Sequence, residues 1–337
     1  MSDLERRYLR LVRIFYPAGY RDERGTEIVG TYLALSSPDR RWPSAADVTD
    51  VAGGGLRQRL RAADATGIGP GVRLAATLAL LTATALAGGW AMLELNPWKT
   101  AWFGFEQHGT SVSLGIGVWA AWLLAAAVHV VAPGRRTRLA IGLALVLTVA
   151  VVPLAAVVDR SRPPLFVLLA QACLGLVALG VAAQPPVWSR LLPLAAAAAA
   201  LPVAVAFARH GDNGYYGWPA GQVLPGAGMA LLLVTLLGGV GLAARNDLRG
   251  AWALLVLLCP IGMLWLHPLA EELAASLYGG GPNADWTTLA TAAIIVVIAA
   301  LIVMSAVLMV QRRAAVTHAT VVRCTACGSF TNHSRKR

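Results

Sequence analysis

Apolar positions along this chain follow two regimes. Up to residue 66 they recur at helical spacing among charged residues, and from Leu74 onward they run unbroken for about 20 residues at a time, the length a membrane-crossing helix needs. In the first regime Leu4, Tyr8, Leu11, Val12 and Phe15 fall at i, i+4, i+7, i+8 and i+11, a single helical stripe that Tyr16-Pro17 ends. A second helix is predicted over Ala18–Leu35, with Ile28, Tyr32 and Leu35 on one face and Ser36-Ser37-Pro38 as its stop. Ser44 with Asp47 three residues later makes a capping-box-like start to a third. That helix carries Val48, Val51, Ala52, Leu56 and Leu60 on one side. Gly53-Gly54-Gly55 should weaken it by roughly 1 kcal/mol per Gly relative to Ala. About 65 residues give only a marginal core, so this small domain is expected to gain stability by docking.

In the second regime eight segments qualify as spans: 74–93, 112–132, 139–158, 165–183, 191–208, 223–244, 251–269 and 289–310. The segment 251–269 is the weakest, because Pro260 interrupts it and His267-Pro268 closes it, and Pro202 is placed to kink the fifth. Residues 67–73, rich in glycine, read as a hinge from the small domain into the first span. The fold class expected is therefore all-α: a polytopic membrane helix bundle of about 8 spans behind a cytoplasmic three-helix domain over residues 1–66. Residues 311–337 are expected to form a disordered basic cytoplasmic tail.

Charge sets the expected orientation. Basic residues gather in cytoplasmic loops. With the N-terminus inside, the inner loops and the tail hold 12 Lys+Arg and the outer loops only Lys99, Arg160, Arg162 and Arg209. An even number of spans puts both termini in the cytoplasm. Trp90, Trp98, Trp102, Trp188, Trp218, Trp265 and Trp286 lie near segment ends, as an interfacial aromatic belt predicts. Gly238-Gly239-Val240-Gly241 permits close helix approach.

Composition then removes function classes. The chain is 57% hydrophobic and only 13% charged, well under the quarter usual for soluble domains. Residues 1–73 hold 12 Arg and 9 acidic residues, against 16 Lys+Arg and 8 acidic in the rest. The net charge of +11 is spread over membrane edges and a domain that also carries acids. A nucleic-acid face would need a concentrated basic stripe, so the expected partners are the bilayer and anionic headgroups, not nucleic acid. Lys99 and Lys336 are the sole lysines and neither sits in Gly-Lys-Ser/Thr, so the chain has no P-loop. The abundance of Arg, Ala, Gly and Val suggests a high-GC bacterium. The first 35 residues are charged and amphipathic, unlike a signal peptide.

Candidate chemistry is sparse. Intramembrane ionisable residues are the usual pointers to function, and here Glu94 and His129 sit only at span ends, with Gln171 the one strongly polar side chain mid-span, read as an interhelical hydrogen bond. His267, Glu271 and Glu272 are the sharpest constellation, since paired carboxylates and a histidine can hold zinc and activate water. They resemble the paired-glutamate motif of intramembrane CAAX-type proteases, but the Arg expected after three intervening residues is Ser276. In the tail His318, Cys324, Cys327 and His333 include a Cys-x2-Cys half-site for zinc, or a redox pair. The tail lacks apolar residues to pack around a metal. Cys173 and Cys259 read as small buried hydrophobes. The loop 209–222, with His210, Asp212, Tyr215, Tyr216 and Trp218 among glycines, could contact a ligand, and Gly-x-Ser-x-Gly is missing. No cofactor and no enzyme activity are expected.

Three stretches carry a resemblance: Arg13-Ile14-Phe15-Tyr16-Pro17, then Arg21–Glu27, then Asp47–Leu60 ending in Gly54-Gly55-Leu56-Arg57-Gln58-Arg59-Leu60. Together they resemble the short HAAS-like, or permease-prefix-like, N-terminal domains of bacterial multi-pass membrane proteins. The resemblance covers about 65 residues and implies a cytoplasmic domain before several spans, with a PadR-type regulator frequently encoded nearby. It implies no catalysis. The expected role is regulatory or protein-interacting, through residues 1–66 and a cytoplasmic partner. A permease-like transport subunit is the alternative and an intramembrane metal-dependent hydrolase the remote one.

Overall fold

The computed structural model describes residues 2–36, 40, 42–65, 68–95, 113–210, 218–245, 247–278 and 285–319, with side chains described up to residue 310. Every regular element among them is helical: α1 (Asp3–Phe15), α2 (Ala18–Leu35), α3 (Ala45–Ala65), α4 (Ile68–Leu95), α5 (Gly115–Val131), α6 (Arg135–Val158), α7 (Leu165–Ala178), α8 (Val187–His210), α9 (Trp218–Ala243), α10 (Arg249–Leu264), α11 (Leu266–Tyr278) and α12 (Trp286–Ala319). The chain forms two compact units, the first built mainly from residues 1–71 and the second from Val72 onward.

In the first unit, Leu4, Tyr8 and Val12 of α1 are buried together with Tyr16, Val29 of α2 and Val51 of α3. Helix α1 opens on a full capping box, Ser2 Oγ accepting from the Glu5 amide and Glu5 returning a carboxylate to the Ser2 amide. Helix α2 packs Ile28 and Tyr32 of its expected face against this core, but the face centres on Val29 and leaves Leu35 out. Val29 is buried while Leu35 is 78% exposed. The reason is the crossing at Gly25, where a Cβ would already lie 3.8 Å from Val12 Cγ1. That contact sets Gly25, Val29 and Tyr32, at i, i+4 and i+7, toward α1.

Helix α3 runs straight through its three glycines, and two of them have a steric purpose. A Cβ on Gly55 would lie 2.7 Å from Phe15 Cβ and 2.8 Å from the Phe15 backbone, and one on Gly54 would collide with the Tyr16 hydroxyl. Gly53 faces open space. The lost helix propensity therefore permits close approach of α3 to the end of α1. The side chains of Leu56 and Leu60, placed in the core by their spacing, lie outside the described ones.

Residues 67–73 are not an extended hinge over their described part, because α4 already begins at Ile68. Pro70 falls in the first turn, where its missing N–H has no intrahelical acceptor to lose. In the second unit each predicted span coincides with a helix or a helix pair. Five helices (α4, α6, α8, α9 and α12) are long and apolar enough to cross a membrane, and the bent pair α10–α11 makes up to six. Helices α5 and α7 are apolar but have only 17 and 14 residues, about 25 Å and 21 Å at 1.5 Å per residue.

Three expectations fail in detail. The segment 251–269 is not one helix. Pro260 sits inside α10, but the helix breaks at Trp265 and α11 leaves at 59°. Pro268 falls in the first turn of α11, the place where a helix tolerates it. The span predicted over 165–183 stops as a helix at Ala178, where the chain tightens into three-residue turns. There Gly180 packs within 3.2 Å (measured to a Cβ position) of Val72 Cγ1 on α4. Trp90 also leaves the predicted aromatic belt: it is 1% exposed, while Trp188 and Trp286 stand exposed at helix ends. Trp98, Trp102 and the Trp218 side chain lie outside the described residues.

Close contacts between small residues hold this second unit together. Thr84 Oγ1 of α4 donates to Pro193 O of α8 at 3.0 Å. One turn on, a Cβ at Gly88 would come within 2.9 Å of Ala197 O. Gly239 of α9 meets Gly250 of α10 backbone to backbone. Gly175 of α7 makes room for the Trp122 ring of α5, whose indole N–H donates to Thr148 Oγ1 of α6 at 3.1 Å.

Candidate functional site

Two regions of the molecule are organised beyond what packing requires. The first is a cleft in the second unit, of about 450 Å³, walled by α4, α8 and α9. Helix α4 lends it a stripe that includes Leu78, Thr82, Ala85, Gly89 and Leu93. Helix α9 lends Gln222, Gly226, Ala230 and Val234, each one turn from the next. The walls are almost wholly apolar. The Thr82 hydroxyl is turned back onto Leu78 O of its own helix at 3.0 Å, which leaves the Gln222 amide as the polar side-chain group that the described lining presents. The sequence reading missed this cleft. Its only signal there was the i, i+4 repetition of small residues on two helices far apart in the chain.

The second region is the polar seam of the first unit. The Tyr8 hydroxyl donates to Asp47 Oδ2 at 2.7 Å, and the same oxygen accepts from the Ser44 amide at 2.9 Å. Ser44 Oγ accepts in return from the Asp47 amide at 3.1 Å, so the capping box read from the sequence is closed at α3. Arg40 pairs with Asp47 at 3.2 Å. The Ser44 amide first, then the Tyr8 hydroxyl, holds the Asp47 carboxyl below the usual carboxylate range. Burial, chiefly, pushes the Tyr8 phenol up. Tyr32 stacks on Tyr8 with centroids 5.5 Å apart and donates to Asp50 at 2.5 Å. Outside this seam the unit exposes basic Arg6, Arg10 and Arg13 on α1 and acidic Asp22, Glu23 and Glu27 on α2.

The residues singled out by the sequence separate in space or fall outside the described part. His267 Nδ1 and Glu271 Oε2 are 3.4 Å apart on successive turns of α11, and the His267 ring stands edge-on to Phe166 at 4.5 Å. Glu272 is exposed beside them. No group of three or more His, Cys, Asp or Glu side chains converges to hold a metal among the described residues, so this trio has no further ligand there with which to build a zinc-water centre. Cys324, Cys327 and His333 lie outside the described residues, as does the His318 side chain. The same is true of the side chains of His210, Asp212, Tyr215 and Tyr216. Gln171 Nε2 donates to Ala83 O of α4 at 3.1 Å, the interhelical bond its position predicts. Glu94 accepts from the Trp119 indole at 3.1 Å. Cys173 and Cys259, on α7 and α10, bring their sulfurs to 3.6 Å. His129 is buried with both ring nitrogens lacking a hydrogen-bond partner among the described residues.

Comparison with protein-family models, with curated proteins and with solved structures gave no match.

Proposed function

We propose that this chain is a multi-pass protein of a bacterial plasma membrane whose residues 1–66 serve as a cytoplasmic docking domain, giving it a regulatory or adaptor role. The observation that carries the reading is the first unit itself. Leu4, Tyr8, Val12, Tyr16, Val29 and Val51 close around a core of their own, with Tyr8 and Val51 fully buried, and its polar seam is satisfied internally. Arg6 pairs with Asp3 and Asp22 with Arg21, while the exposed Arg10 and Arg13 of α1 and Glu23 and Glu27 of α2 are available to another molecule. Charged faces of both signs on one small domain suit a protein partner better than a lipid surface, which would select one sign.

The resemblance of this region to HAAS-like domains supports the same role. The twelve-to-four basic bias of the connections supports eight crossings with both termini inside. In that topology α5 and α7 cross as short helices and α10 with α11 as the broken seventh span. The cytoplasmic connections 132–134 and 179–186 contain no helix on which a separate ATPase could dock. That favours the adaptor over a transport subunit.

The test is site-specific photocrosslinking in native membranes. A photoreactive residue in place of Arg13 or Glu27 of the full-length protein should capture the same soluble protein from both faces. The captured band should vanish when a matching chain lacking residues 2–66 is expressed instead. Capture of nothing from either face, with growth and membrane proteome unchanged by the deletion, would remove the adaptor reading.

A further inference from the structure

We propose that the cleft between α4, α8 and α9 is a binding site for one acyl chain of a bilayer phospholipid, with the headgroup at the Gln222 end. The proposal rests on the membrane reading of the second unit and is independent of the docking role given to the first. The walls present no polar demand along their length, since Thr82 bonds within its own helix. Within a bilayer the medium that reaches an open apolar cleft is hydrocarbon.

Length suits the occupant. Along α4 the cleft extends from Leu78 to Leu93, about 22 Å at 1.5 Å per residue, which is longer than one leaflet's half of the roughly 30 Å hydrocarbon core, so an acyl chain can lie along it lengthwise. In the eight-span topology proposed above α4 and α9 run antiparallel, so Leu93 and Gln222 mark one end of the cleft and Leu78 and Val234 the other. The amide of Gln222 belongs to the first end, on the headgroup side.

The glycines report the same design. Gly89 on α4 and Gly226 on α9 both line the cleft, and a Cβ on either meets nothing within 4 Å. Their neighbour Gly88, which faces α8 instead, is tightly packed. Gly89 and Gly226 thus hold the cleft open without serving any helix contact, at a cost in helix propensity that alanine would avoid.

The experiment uses the full-length protein in vesicles of phosphatidylethanolamine and phosphatidylglycerol. A trace of phosphatidylcholine carrying a diazirine near the end of one acyl chain is the probe. Labelled peptides are mapped by mass spectrometry after irradiation. Labelling should concentrate on the cleft-lining positions of α4 and α9, at least fivefold over lipid-facing positions such as Val149 and Leu237. The double variant Gly89→Leu with Gly226→Leu fills the cleft and should remove that excess. Gly142→Leu, which also meets open space but lies outside the cleft, should keep it. Should the double variant not fold, Ala230→Leu on the α9 wall is measured in the same way. Even labelling of cleft and lipid-facing positions, an excess that survives cleft filling, or a protein–protein crosslink from these positions would each overturn the proposal.

Discussion

Tyr8 and Asp47 are 39 residues apart, yet the phenol donates to the carboxylate at 2.7 Å. The same carboxylate oxygen also caps the first turn of α3. One side chain thus starts a helix and fixes where that helix lies against α1. Tyr8→Phe keeps the ring and its stack on Tyr32 but removes the bond, at a cost of about 1 kcal/mol. Asp47 retains its other partners, so the loss is partial. Hydrogen exchange of the full-length protein, read on peptides from α1 to α3, should show about fivefold weaker protection in the first unit and none of that change in α4 to α12.

The same carboxylate makes the first unit acid-sensitive. Its folded pKa is depressed by the Ser44 amide and the Tyr8 hydroxyl, so its contribution to stability is fully present above the ordinary carboxylate value of about 3.9. That contribution is lost as the pH falls from there through the lowered folded value. Pepsin digestion of the full-length protein between about pH 5 and 3 should nick the segment between α1 and α3 progressively faster relative to a denatured control. In Asp47→Asn, which cannot titrate, that steepening should flatten. An unchanged acid profile in the variant would assign the sensitivity to another group.

Three consecutive glycines in α3 should respond to substitution in different directions. Gly53→Ala meets nothing and should stabilise the first unit by roughly 0.5–1 kcal/mol through helix propensity. Gly55→Ala drives a methyl group into the Phe15 backbone and should destabilise it by about 1–3 kcal/mol, as overpacking does. Protection of the α1 and α3 peptides in hydrogen exchange distinguishes the two. Equal effects would mean that the close approach at Phe15 does not govern this packing.

Legibility followed the range of the interactions. Helix positions were readable because hydrophobic period and run length are local: the stripe from Leu4 to Phe15 became α1, and the eight apolar runs each became a helix or helix pair. What depends on a distant partner was not readable. On α2 Leu35 was placed on the core face in place of Val29 because Gly25 meets Val12, and Trp90 was assigned to an interface because its core neighbours come from other helices. The run through Pro260 suggested an interruption at the proline, whereas the bend falls at Trp265. The cleft was invisible for the same reason. Ala85 and Gly89 are unremarkable in a chain rich in both residues, until α9 sets Gly226 and Ala230 across from them.

His129 offers a test of the second unit's interior. It is 1% exposed, and neither ring nitrogen has a hydrogen-bond partner among the described residues. A buried donor without a partner costs about 1–3 kcal/mol. His129→Leu, of similar volume, should therefore raise the thermal stability of the detergent-solubilised protein. A fall of similar size in a thermal melt would show instead that the imidazole makes a stabilising contact in the assembled protein.

Neighbouring glycines in α4 separate contact from space most directly. Gly88 faces α8, where a Cβ would lie 2.9 Å from Ala197 O and 3.2 Å from its Cα, while Gly89 opens onto the cleft and meets nothing. The backbone at Ala197 cannot rotate away as a flexible side chain would, and Thr84 holds the same two helices together one turn earlier. Gly88→Ala must then either push α8 outward or strain α4, at about 1–3 kcal/mol. Gly89→Ala gains up to about 1 kcal/mol of helix propensity with no clash. The thermal midpoint of the full-length protein in detergent should therefore fall for Gly88→Ala and rise for Gly89→Ala. If the two variants shift together, α4 does not approach α8 through this face. If only Gly89→Ala falls, the cleft is closed by packing rather than open to lipid.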